Sequence, residues 1–136
     1  MKKSLLIIII LIIALLVSLT LVFRTTIFTN RATNYTDNSP VLSNSYLFAS
    51  PLQANTKNNE KIRITVFVLD NQGLGVANQT VTINPQSNLI IENIQSTTSD
   101  TGQATFDVSS ATPGKYIIKA QVGTKQIPQT VSVTFY

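Results

Sequence analysis

Between Lys61 and Asp70 the chain reads KIRITVFVLD, with apolar residues in every second place. Ile62, Ile64, Val66 and Val68 share one side, and Arg63, Thr65, Phe67 and Leu69 share the other. Successive side chains of an extended chain point to opposite faces, so such a run forms a strand with one face buried. The same period returns where Ala104, Phe106 and Val108 alternate with Gln103, Thr105 and Asp107. It resumes after Ala111-Thr112-Pro113-Gly114, with Tyr116, Ile118, Ala120 and Val122 opposite Lys115, Lys119 and Gln121. Proline presets φ for a turn and glycine accepts positive φ, so Thr98–Val122 is expected to form strand, turn and strand as a hairpin. Two amphipathic strands cannot bury their apolar faces alone; a second sheet is required.

The rest of the chain after about residue 45 supplies it. Tyr46–Ala54 reads as a strand interrupted at Ser50-Pro51. The missing proline donor suits an edge strand or one that switches sheets. Gln79–Asn84 turns Val81 and Ile83 inward, and Leu89–Ile94 is a further strand of ambiguous phase. Gln126–Tyr136 alternates Ile127, Val131, Val133 and Phe135 with polar residues, and Pro128 marks a bulge or an edge. Turns fall at Thr56–Glu60, Asp70–Gly73, Asn84-Pro85 and Ser99–Gly102. About seven short alternating strands with no amphipathic helix among them indicate an all-β fold, an antiparallel β-sandwich with Greek-key connections. Tyr116 either hydrogen-bonds a nearby turn or simply fills the core.

Leu5–Phe23 is apolar apart from Ser18 and Thr20. Its length is near the ~20 residues that cross a hydrocarbon layer of ~30 Å. At roughly −0.5 kcal/mol for each of its Leu, Ile, Val and Phe residues, insertion is favoured by about 8 kcal/mol. A cleaved signal peptide is the alternative, but the run exceeds the usual apolar length and no small-x-small site follows it. We therefore expect residues 1–24 to be a membrane anchor, with a transmembrane helix over 5–23 contacting lipid. The expected location is the cytoplasmic membrane, single-pass, with the N-terminus inside and the domain on the extracytoplasmic side. Residues 25–45 are expected to be a flexible polar linker and 46–136 the folded domain.

Composition narrows the chemistry. The chain has no Cys and no His, which removes disulfides, thiolates, imidazole bases and the usual zinc ligands together. From Asn44 onward six basic residues meet five acidic ones, so the net charge of +4 originates around the apolar run. The domain carries no nucleic-acid footprint. Asp70, Asn71 and Asp100 supply the oxygen ligands calcium favours. They also stand at turns, where Asp and Asn are selected for backbone reasons. No catalytic, cofactor or metal-binding residue is expected. The sequons Asn34-Tyr35-Thr36 and Asn78-Gln79-Thr80 arise easily by chance in such Asn- and Thr-rich sequence. The surface feature of interest is Phe67 with Leu69, opposite the core in the best-defined strand. They form either an exposed strip for a partner or for self-association, or packing under the first strand or a loop.

The successive blocks IRITVFVLDNQGLGVANQTVTI, TTSDTGQATFDV and TPGKYIIKAQVG resemble group 1 bacterial immunoglobulin-like domains, the invasin and intimin repeats. The resemblance spans about residues 46–136. It falls on Asp70, Gly73, Val76, Val81, Thr98, Gly102, Ala104, Pro113, Gly114 and Tyr116, all structural positions. It implies an immunoglobulin-like sandwich exposed at a cell surface, acting as a spacer or in adhesion. With one repeat, and neither an export barrel nor a distal lectin-like domain in this sequence, it does not imply an invasin-type role at host cells. The expected function is thus a non-catalytic, membrane-anchored surface protein presenting one such domain to a protein or cell-envelope partner. The alternative is a structural or accessory subunit of an envelope complex or surface filament.

Overall fold

The computed structural model describes residues 7, 11–18, 20 and 38–136. Residues 11–18 are helical, and among the described residues no helix is long and apolar enough to cross a membrane. The span expected over 5–23 lies partly outside the described residues, as does most of the linker expected over 25–45.

Ten strand segments follow: β1 (Tyr46–Ser50), β2 (Gln53–Ala54), β3 (Ile62–Phe67), β4 (Val81–Ile83), β5 (Ile90–Gln95), β6 (Gln103–Ser109), β7 (Gly114–Ile118), β8 (Ala120–Val122), β9 (Lys125–Gln126) and β10 (Val131–Phe135). They correspond to the seven expected strands, three of which are divided. The first divides at Ser50-Pro51, a cis peptide bond. Its front half, β1, is an edge of one sheet, and its rear half, β2, pairs in parallel with β10 in the other. The strand expected over 116–122 breaks at Lys119, so that β7 pairs with β10 while β8 pairs with β4 and β9. The last strand is interrupted around Pro128.

One layer therefore has the order β1-β3-β6-β5. The other is built from β2-β10-β7 and, where the chain continues past Lys119, β4-β8-β9. The core lies between them. Ile62, Ile64, Val66, Ala104, Phe106 and Val108 from the first layer and Val81, Ile118, Ala120, Val133 and Phe135 from the second are all essentially inaccessible to solvent. These are the inward positions that the period-two pattern marks. At roughly 25 cal/mol per Å² of apolar surface removed from water, each such Ile or Phe contributes about 1.5–3 kcal/mol.

The hairpin expected over Thr98–Val122 does not form. β6 pairs with β3 and β5, whereas β7 pairs with β10, so the turn at 110–113 carries the chain from one layer to the other. Tyr116 secures this crossing. Its hydroxyl donates to the Thr112 carbonyl at 2.9 Å and lies 2.9 Å from Ser110 Oγ. Ser110, itself buried, also donates to the Asn88 carbonyl at 2.8 Å. The Tyr116 ring stands edge-on to Phe135, 5.8 Å between centroids. Both possibilities held open for Tyr116 are thus realised, as in the tyrosine corner of immunoglobulin sandwiches.

Part of the expected linker packs on the sandwich. Val41 N donates to the Leu69 carbonyl at 2.7 Å, and the Asn44 amide donates to the Asp70 carbonyl at 2.8 Å. Ser45 is buried, accepting from Leu69 N at 3.0 Å and donating to the Val41 carbonyl at 2.9 Å. Leu42 rests against the core.

Candidate functional site

The outward face of the four-stranded layer divides into an aromatic end and a charged end. In the antiparallel β1–β3 register Tyr46 lies opposite Phe67 and Phe48 opposite Thr65. Because Leu47 and Ala49 turn inward against Val66 and Ile64, Tyr46 and Phe48 must turn outward. The Tyr46 and Phe67 rings stack at 5.3 Å and 27°, and Phe48 and Phe67 at 6.3 Å and 14°. Stacked pairs of this kind are worth about 0.5–1.5 kcal/mol beyond their area. Phe67 is half-buried beneath its neighbours, while Tyr46 and Phe48 remain 40% and 45% exposed. Thr65, although outward, is buried, with Phe48 opposite it and Phe67 two residues along.

The strip expected at Phe67 and Leu69 is thereby redrawn. Phe67 is its centre. Leu69 lies beyond the end of β3, half-buried, bridged to Gly75 and tied through its backbone to Val41 and Ser45. Ring stacking joins Phe67 to Tyr46 and Phe48, two residues the sequence reading left without a role. Their alternation within YLFAS was legible, but only the register shows that they stand beside Phe67.

Toward the other end the outward charges are paired. Arg63 Nε and Nη2 donate to the two Asp107 oxygens at 2.9 and 3.1 Å, a bidentate geometry. The hydrogen bond from Arg63 holds the Asp107 carboxyl below its ordinary value, against the opposing effect of its burial. Lys61, just before β3, pairs with Glu92 of β5 across the intervening β6. Between these pairs and the aromatic rings lies Thr105 of β6, and Gln103 of the same strand stands opposite Phe67. The aromatic end is therefore neutral, which favours contacts made by desolvation rather than by charge.

Other features are structural. Asp70 is fully buried, and its Oδ1 accepts from Gln72 N at 2.8 Å and Leu74 N at 2.9 Å, the bonding of an Asp-initiated turn. Asp100 is exposed at a separate turn. Among the described residues no three His, Cys, Asp or Glu side chains are grouped to hold a metal ion. An open hollow of about 590 Å³, lined by residues that include Thr82, Asn84, Ile91, Asn93 and Gln121, contains no titratable side chain.

Two facing layers, antiparallel except for the β2–β10 pair and one with the order β1-β3-β6-β5, joined by a tyrosine-secured crossing, define an immunoglobulin-type β-sandwich. The chain belongs to the bacterial Ig-like domain (group 1) family, whose sequence profile matches residues 44–136. Among solved structures it is similar to the D00-D0 domain of intimin, at 24% identity and a TM-score of 0.57, over 68% of this chain and 45% of that one. It is also similar to invasin, a bacterial integrin-binding protein, at 18% identity and a TM-score of 0.63, over 71% and 20%. A C-terminal fragment of intimin, solved in complex with the intimin-binding domain of the translocated intimin receptor, is 28% identical with a TM-score of 0.53, over 65% and 31%. The chain spans less than half the length of each of these structures. No curated protein matches it in sequence.

Proposed function

We propose that this chain is a non-catalytic, membrane-anchored cell-surface protein whose single immunoglobulin-like domain binds a protein or cell-envelope partner through the Tyr46–Phe67–Phe48 face. The observation that carries the reading is the stacked aromatic group itself. Three rings stand on a rigid sheet, two of them substantially exposed, with the nearby charges already paired. Aromatic side chains in a neutral, well-supported patch are the usual anchors of protein interfaces. The structure of an intimin fragment bound to its receptor's domain supports a partner-binding use of this family.

The anchor belongs to the same proposal. Residues 1–24, with a helix over 5–23, hold the chain in the cytoplasmic membrane, and residues 46–136 lie outside it. The support is the length and hydropathy of the apolar run. The test is chemical cross-linking on intact cells, followed by identification of captured proteins and glycans, with Phe48→Ser compared with the unaltered chain. Loss of the captured species is expected while the domain stays folded, its stability lowered by less than ~1.5 kcal/mol. Equal capture by both chains would refute a role for the aromatic face, and protection of the domain from added protease would refute the topology.

A further inference from the structure

We infer that Asn78 is an acceptor site for N-linked glycan. The inference rests on the extracytoplasmic placement proposed above. Asparagine glycosylation requires a carboxamide followed two residues on by a hydroxyl, both presented on an accessible surface. Among the described residues the asparagines with left-handed backbone are Asn59, Asn78 and Asn88, at φ of 55°, 59° and 67°. Asparagine is one of the few side chains that tolerate this conformation, so the turns alone explain its presence at all three places. What separates Asn78 is its surroundings. Lys61 and Ile90 stand two residues after Asn59 and Asn88, whereas exposed Thr80 stands two after Asn78.

The turn is held by its backbone and leaves the reactive groups unengaged. Asn78 N donates to the Thr98 carbonyl at 3.0 Å, and Gln79 N to Thr98 Oγ1 at 2.8 Å. The Thr80 carbonyl accepts from Gly123 N at 2.9 Å. Among the described residues neither the Asn78 carboxamide nor the Thr80 hydroxyl is used in a hydrogen bond. By contrast, the Asn44 amide is bound to the Asp70 carbonyl, and Asn55 Oδ1 accepts from Lys57 N. Beside the acceptor lies a cleft of about 370 Å³, lined by residues that include Pro40, Leu42, Asn78, Thr80 and Lys125. It leaves room at the site for a first sugar.

The donor is a lipid-linked oligosaccharide phosphate or pyrophosphate. The Asn78 amide nitrogen bonds to the anomeric carbon, and the bond from that carbon to the phosphate oxygen breaks. Its electron pair leaves with the lipid phosphate, and one amide proton passes to a base of the transferring enzyme. The +2 hydroxyl serves as the recognition element, so serine should replace threonine and valine should not.

The experiment uses the full chain isolated from the membranes of the cells that naturally make it, with peptide mass spectrometry of the segment containing Asn78. A hexose- or hexosamine-containing mass increment on Asn78 is expected, retained in Thr80→Ser and lost in Thr80→Val. A Thr36→Val variant, which removes the other sequon, should leave Asn78 occupancy unchanged. In parallel, exposed Lys57 is labelled on intact cells with a membrane-impermeant amine reagent. Labelled Lys57 with bare Asn78 would overturn this inference and leave the proposed topology standing. Protected Lys57 would overturn the topology, and the inference with it.

Discussion

Gly102 lies where two turns meet with almost no space between their backbones, which makes it the sharpest test of the packing described above. Its φ is +75°, and a Cβ built there would stand 2.3 Å from the Val68 carbonyl oxygen and 2.7 Å from Gly75 Cα. Gly73 has nearly the same φ, +79°, but a Cβ there would meet nothing within 4 Å. The two Gly→Ala substitutions thus share a backbone cost of about 1–2 kcal/mol for the left-handed conformation. Only Gly102→Ala adds an overlap with backbone that cannot rotate away. Relief of such overlap costs about 1–3 kcal/mol. It also disturbs the bonds from Val68 N to the Gly102 carbonyl at 2.8 Å and from Val76 N to the Val68 carbonyl at 2.9 Å. We expect a loss of roughly 3–4 kcal/mol for Gly102→Ala, a large part of the ~5–15 kcal/mol that stabilises an ordinary domain. At about 4–8 °C per kcal/mol the midpoint should fall by roughly 12–32 °C. Gly73→Ala should lose only the smaller backbone contribution. Gly75→Ala, with no left-handed φ but a Cβ 2.2 Å from the Thr101 carbonyl, isolates the overlap alone. Urea and thermal unfolding of residues 38–136, followed by circular dichroism, measures all three. If Gly102→Ala came within 1 kcal/mol of Gly73→Ala, the close approach of the two turns would be wrong.

Tyr116→Phe removes the hydroxyl that secures the layer crossing but keeps the ring against Phe135. A loss of about 1 kcal/mol is expected in the same unfolding assay. Combined with Ser110→Ala it should be non-additive, because the two groups share partners. The Asp107 carboxyl titrates below its ordinary value of 3.8 in the folded protein. Its stabilising effect is therefore complete above the unfolded value and fades as pH falls through the folded one. Asp107→Asn should flatten the decline in midpoint temperature below about pH 4, and an unchanged acid limb would show that Arg63 and Asp107 are not coupled in solution. Phe48→Ser, which removes a half-exposed ring, should lower stability by less than ~1.5 kcal/mol, whereas Phe67→Ser, between two rings, should cost more. The reverse order in thermal melts would contradict the stacking.

Much of this protein was written in its local pattern. The period of two assigned Ile62, Ile64, Val66, Phe106, Ile118 and Phe135 to the inner faces, and Pro51, Pro113 and Gly102 marked breaks that the fold respects. Such features depend only on neighbours along the chain, because an extended backbone turns alternate side chains to opposite sides wherever it is placed. Which strands pair is decided between residues far apart in sequence, and here the local pattern misled. A turn flanked by two amphipathic strands reads as a hairpin, yet Ser110, Thr112 and Tyr116 bend the chain across to the opposite layer. The aromatic face has the same origin. Phe67 was visible on the outward side of its strand, but Tyr46 and Phe48 reach it only because β1 lies antiparallel to β3 in the register that sets Tyr46 opposite Phe67. Sequence alone determined that two layers must form and which side chains of the clearly alternating strands lie between them. Tertiary structure decided how the layers connect and what their outer surface presents, because pairing and register follow from burying both inner faces at once.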